Sequence, residues 1–187
     1  DGQGDGERRC ELVQTIDIAP TLLEYFDLEP LQDIDGCSLL SVVKDHQKIH
    51  DTALFGVHGG QINLFDGKYV YMKSGLKDKP IYNMTLMPTL MRGFISPEAI
   101  DQATFVNGGK YSHGHKVLQI PSGPFIPLKE PYPDAVYDLT KDPKQEHNSI
   151  NEDLQKALDA KLKTAMLKAG APSWQMERMG FTTYEEK

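Results

Sequence analysis

Cysteine is nearly missing from this chain. Cys10 and Cys37 are the only two in 187 residues; they lie far apart, with no CxxC or Cys/His spacing around them. That excludes a disulfide framework and a zinc finger and leaves the redox compartment open. Long apolar runs are missing too. No stretch approaches the roughly 20 residues of a membrane helix, and the opening DGQGDGERR is the opposite of a signal peptide, so no membrane partner is expected. Positive charge is short: 20 Lys and Arg stand against 27 Asp and Glu, a net charge of −7 without any basic block. This argues against a nucleic-acid partner. Walker loops, GxGxxG, GxSxG and HExxH motifs are all absent. What remains is an ordinary globular composition, 39% hydrophobic and 25% charged. A chain of this length buries roughly 70% of its unfolded-state surface without help from a metal.

The polar, Gly-rich opening runs at once into an amphipathic pattern, with no preceding strand for a helix to cover, and reads as the middle of a protein. In residues 11–28, Val13, Ile16, Ile18, Leu22, Leu23 and Phe26 suit a helix of about three turns. Thr15 and Asp17 are candidate caps, Pro20 fits the first turn and Pro30 closes the segment. Another helical turn is expected over Gly36–Val43. From Asp51 the pattern changes to strands: Thr52–His58, then two β-rich runs joined by Asp66-Gly67, a dipeptide that predicts a hairpin with a type I′ turn. Eight prolines between 74 and 133 break that stretch into pieces. A short helix is expected over Pro97–Ala103, and strands over Lys116–Ile120 and Ala135–Leu139. Ser149-Ile150-Asn151-Glu152 has the form of a capping box. Behind it Leu154, Leu158, Leu162 and Met166 recur every fourth residue, with Gly170 and Pro172 as stop signals. This helix is expected to pack on the hairpin sheet, and the tail 171–187 to wrap back over a surface. The fold class that follows is α+β.

Few residues offer chemistry. His46 and His50 have the spacing of two ligands on one helical face, but they sit in a polar connector with no third ligand. His113-Gly114-His115 reads as a solvated loop rather than a chelate. Asn83-Met84-Thr85 matches a glycosylation sequon with nothing else pointing to secretion. His58, followed by Gly59 and Gly60, is the candidate binding residue, because glycines at a strand end let a ligand approach the backbone. A hydrogen-bonded histidine in a tight turn is the other reading, and both stay open.

Three stretches in order resemble the C-terminal third of a type I sulfatase of the alkaline-phosphatase superfamily. They are Leu12–Glu24 (LVQTIDIAPTLLE) with Asp35–Leu40 (DGCSLL), then Ala53–Lys73 (ALFGVHGGQINLFDGKYVYMK), then Val136–Asn148 (VYDLTKDPKQEHN). The resemblance implies that residues 1–48 are the C-terminal edge of a catalytic α/β domain, a helical remnant and linker. Residues 49–187 would be the C-terminal subdomain, a short antiparallel sheet packed by a long helix. It also implies a parent enzyme that hydrolyses a sulfate-ester small molecule or glycan, using a formylglycine nucleophile and a bound calcium. Neither cysteine lies in the Cys/Ser-x-Pro-x-Arg setting of that nucleophile. Asp45-His46 imitates a metal-ligand pair, but Gln47 replaces the expected glycine and the pair follows the PTLL helix instead of preceding it. The chain itself is therefore expected to hold no cofactor and to be inactive alone, with His58 touching substrate as part of the whole enzyme.

Two rivals remain at this level. A phosphodiesterase or phosphonate monoester hydrolase of the same superfamily shares the PTLL passage. A stand-alone interaction domain would instead predict that the face of Ile16, Leu22, Leu23 and Phe26 is closed within the chain. The compartment is open, with the cytoplasm slightly favoured, and so is the oligomeric state.

Overall fold

The computed structural model describes residues 6–87, 89–90, 93–127 and 130–181. The fold is α+β. A 3-10 turn over Thr15–Asp17 leads into α1 (Ile18–Tyr25), and α2 spans Leu40–Asp45. Strands β1 (Ala53–Gly56), β2 (Ile62–Phe65) and β3 (Tyr69–Lys73) follow. Next come β4 (Ile81–Thr85), β5 (Thr89–Leu90), β6 (Gly93–Phe94), α3 (Pro97–Asp101), β7 (Thr104–Asn107) and β8 (Lys116–Ser122). The chain continues with β9 (Ala135–Asp138), α4 (Glu152–Lys168) and α5 (Ser173–Arg178). One sheet has the order β1-β2-β3-β9, a second β4-β8-β7, and β5 pairs with β6. No helix among the described residues is long and apolar enough to cross a membrane.

Two compact units share these elements. The first holds Asp1–Phe55, Asn63–Tyr71 and Val136–Ile150, the second Gly56–Ile62, Met72–Ala135 and Asn151–Lys187. In the first, Val42, Leu64, Val70, Tyr71 and Val136 are buried. In the second, the every-fourth-residue stripe of α4 is buried at Leu158, Leu162 and Met166, along with Val117, Ile120, Met176 and Met179. Each such side chain contributes about 1.5–3 kcal/mol by leaving water.

Several expectations need correcting. The N-cap of α4 is Asn151, whose Oδ1 accepts from Leu154 N–H at 3.0 Å. Ser149 does not cap the helix, because its hydroxyl donates to the Val136 carbonyl at 3.0 Å. The hairpin lies where Asp66-Gly67 puts it, but the turn is not type I′. Gly67 alone takes a positive φ, of 89°, and the Asp66 carboxylate accepts from Lys68 N–H and Tyr69 N–H at 3.0 and 2.8 Å. A side-chain-closed Asx turn thus replaces the left-handed pair. Pro121 does not end its strand: β8 runs through it to Ser122. Its missing N–H costs little there, since β7 pairs with β8 only up to Gln119, whereas β4 pairs antiparallel as far as Ser122. The tail forms α5, with Met176, Met179 and Phe181 buried; positions 182–187 lie outside the described residues.

Candidate functional site

Asp17 is fully buried, and it organises the amphipathic segment. Its Oδ1 accepts from Cys37 N–H at 2.9 Å, its Oδ2 from Gln14 N–H at 2.7 Å, and His50 Nε2 lies 2.9 Å from both oxygens. The Thr21 hydroxyl, on the first turn of α1, donates to the Asp17 carbonyl and accepts from Leu39 N–H. The carboxylate therefore serves as a hub joining three separate parts of the first unit; through Gln14 N–H it closes a capping box on the 3-10 turn, while Asp17 stands at the N-cap of α1 with no side-chain bond into that helix. Burial pushes its pKa up, but the bonds from Cys37, Gln14 and His50 push it further down, to a net lowering. His50 belongs to this hub, so the His46/His50 pair is no chelate. His46 takes a left-handed φ of 54° at the end of α2 and lies against Glu11 and the Arg9 guanidinium.

The other side of this segment is bare. No residue of α1 is buried. Leu22 is 52% and Phe26 64% exposed, with Val13, Ile16, Ile18 and Leu28 in the same state, whereas Leu23 is half-buried.

His58 lies in the β1–β2 connection, on a turn closed by Gly60 N–H donating to the Val57 carbonyl at 3.0 Å. The imidazole is exposed. Its Nε2 is 3.4 Å from Ser122 Oγ, which accepts from Asn83 Nδ2 at 3.1 Å and donates to the Gly123 carbonyl. His58, Ser122 and Asn83 thus form a polar rim, with Phe125 exposed beside it and Phe125 N–H donating to the His58 carbonyl at 2.8 Å. The glycines serve a different purpose from the one their spacing suggests. Gly59 has φ of 69°, and a Cβ there would come within 2.6 Å of Pro124 Cα. The space beside Gly59 is filled by the chain itself, which leaves no room for a ligand against the Gly59 backbone there.

Arg178 holds this turn from within the second unit and was invisible in the sequence. It is 6% exposed, and its Nη2 and Nη1 donate to the carbonyls of Gly59 (2.6 Å) and Gly60 (3.4 Å). Burial lowers its pKa. Its described partners are those two carbonyls and the Met179 sulfur, not carboxylates.

The described residues of the rim do not make an activated nucleophile. Among the described residues no carboxylate orients the imidazole, and the contact with Ser122 is long, so Ser122 lacks the activated pair that such chemistry needs. Among the described residues, neither the two cysteines nor the Asp45-His46 pair has the setting of a formylglycine or a calcium ligand. Cys10 and Cys37 are exposed free thiols, and the position next to His46 holds the cationic Arg9. Asp142, Glu146 and His147 approach one another, but Asp142 accepts from Glu146 N–H and His147 N–H at 3.1 and 2.8 Å, which makes it a loop clasp. His113 and His115 are exposed on a turn, as expected.

No protein-family model matches the chain, and no curated protein matches it.

Proposed function

We propose that this chain is the non-catalytic C-terminal portion of a sulfatase-like hydrolase acting on sulfate esters. In that reading the bare face of residues 13–28 packs on a catalytic α/β domain, and His58, Ser122 and Asn83 touch substrate at the rim. The observation that carries it is the state of α1. An eight-residue helix is too short to be stable on its own propensity. It is held here from one side by the Asp17 hub, while Ile18 and Leu22 keep about half of their surface exposed within this chain, so much of the roughly 1.5–3 kcal/mol that full burial of each would contribute is not realised. Contiguous apolar surface of this kind marks an interface. The resemblance of the LVQTIDIAPTLLE, ALFGVHGG and VYDLTKDP passages names the interface partner as the family's own catalytic domain.

The test is made on the native polypeptide that carries this chain. Its mass is measured, and its hydrolysis of an aryl sulfate is compared with that of an aryl phosphate diester. A longer polypeptide that cleaves the sulfate ester, with the 187-residue chain alone giving no turnover, is the expected result. Preference for the phosphate diester would transfer the reading to the phosphodiesterase branch. A native protein of 187 residues with no turnover would overturn it. Within the native enzyme, His58→Ala should raise KM; an unchanged KM removes His58 from the substrate contacts.

A further inference from the structure

A second site lies wholly in the second unit and shares no lining residue with the His58 rim: an open pocket of about 580 Å³, within the usual size range of small-ligand sites. Lys73, at the end of β3, projects into its wall with a side chain only 12% exposed; its Nζ is 3.0 Å from Asp159 Oδ1 and 3.8 Å from Asp134 Oδ2. Asp134 is itself fixed, by Ser74 N–H on Oδ1 at 2.8 Å and by Gln155 Nε2 on Oδ2 at 3.1 Å. An ammonium and two carboxylates therefore stand side by side in set positions. Lys77 and Lys163 add positive charge to the same wall, so the two signs nearly cancel.

That balance selects the ligand. A sulfate or phosphate group gains little where a buried-stem lysine is already met by two carboxylates, since those carboxylates repel it. A neutral hydroxyl has both roles available: it donates to a carboxylate and accepts from the ammonium. Neighbouring hydroxyls on a sugar ring are spaced much as the Lys73 and Asp159 polar atoms are. The same lining has an apolar, stiff part. Tyr132 is 61% exposed between Pro131 and Pro133, whose rings restrict the backbone on both sides, and an aromatic face attracts the slightly positive C–H face of a sugar.

The geometry points to this pocket as a binding site for a neutral saccharide. It stands independently of the sulfatase reading, because it uses none of the residues of the His58 rim or the α1 face.

The test is an amide-shift titration of the isotope-labelled 187-residue chain with lactose, cellobiose, maltose and diacetylchitobiose, with sodium sulfate as the ionic control. Saturable shifts at Gly75, Tyr132 and Gly180 with at least one disaccharide are expected, with none from sulfate. Tyr132→Ala should weaken that binding about tenfold or more, the loss of one stacking and packing contact. Asp159→Asn should weaken it as well; because that change also releases Lys73 and can loosen α4, the exposed Tyr132 carries the decision. Failure of all four sugars, saturable binding of sulfate at these amides, or equal affinity in Tyr132→Ala would each overturn the proposal.

Discussion

Replacing Asp17 by Asn tests the hub most directly. The change keeps the shape and removes the charge and one acceptor. In the native chain each carboxylate oxygen accepts a backbone N–H, from Cys37 or Gln14, while His50 Nε2 reaches both. The amide NH2 of Asn must face one of those N–H groups, which leaves a buried donor without an acceptor at a cost of about 1–3 kcal/mol. The imidazole loses its charge-assisted partner at the same time. That loss is a sizeable part of a total stability of about 5–15 kcal/mol. Urea unfolding followed by circular dichroism should show that loss at neutral pH. Hydrogen exchange should localise it, with the Cys37 amide losing protection and the α4 amides keeping theirs. The pH dependence gives an independent sign. The folded pKa of Asp17 is lowered, so its contribution is complete above the unfolded carboxylate value of about 3.9 and is lost as pH falls through the folded pKa. The gap between wild type and Asp17→Asn should therefore close in acid. A loss under about 1 kcal/mol at neutral pH, or a gap that stays constant into acid, would refute the hub.

Asn151→Ala removes the cap of α4 and should cost about 1 kcal/mol in the same unfolding assay, whereas Ser149→Ala should leave the first turn of α4 intact by hydrogen exchange. Leu162→Ala, at a position with no exposure, should cost about 2–5 kcal/mol. Gly59→Ala meets both a left-handed φ, worth about 1–2 kcal/mol, and the Pro124 backbone. It should weaken the protection of Phe125 N–H, which bonds to the His58 carbonyl, and an unperturbed Phe125 amide would contradict the packing described for that turn.

Local rules account for much of the fold. The Leu158, Leu162 and Met166 spacing places the buried stripe of α4, since a helix repeats its face every three to four residues whatever lies opposite. The hairpin position follows from Asp66-Gly67, but its conformation does not, because an aspartate can close a turn through its carboxylate as readily as through a left-handed backbone. The β4-β8-β7 sheet was hidden behind its prolines. Whether Pro121 breaks a strand depends on where the neighbouring strand ends, and no local pattern carries that. The same limit applies to the sites. Asp17 looks like a cap from its neighbours, yet its partners Cys37 and His50 stand 20 and 33 positions away. Arg178 gives no signal at all, since an arginine in a polar sequence gives no hint that it will be buried against two glycine carbonyls. His58 could be picked out by its glycines, but for a reason the packing of Pro124 replaces.

The two compact units are not consecutive in the chain: the backbone passes from one to the other after residues 55, 62, 71, 135 and 150. Neither can be released by a single proteolytic cut or expressed as a contiguous segment, so domain-dissection constructs would yield incomplete pieces of both. During synthesis the first unit must wait for residues 136–150 before its sheet gains β9. Its closure spans the intervening loop, a long-range step of the kind that slows folding. Until then β3 lacks its hydrogen-bonded neighbour along one edge. A ribosome-bound nascent chain ending before residue 136 should accordingly remain protease-sensitive across residues 53–73.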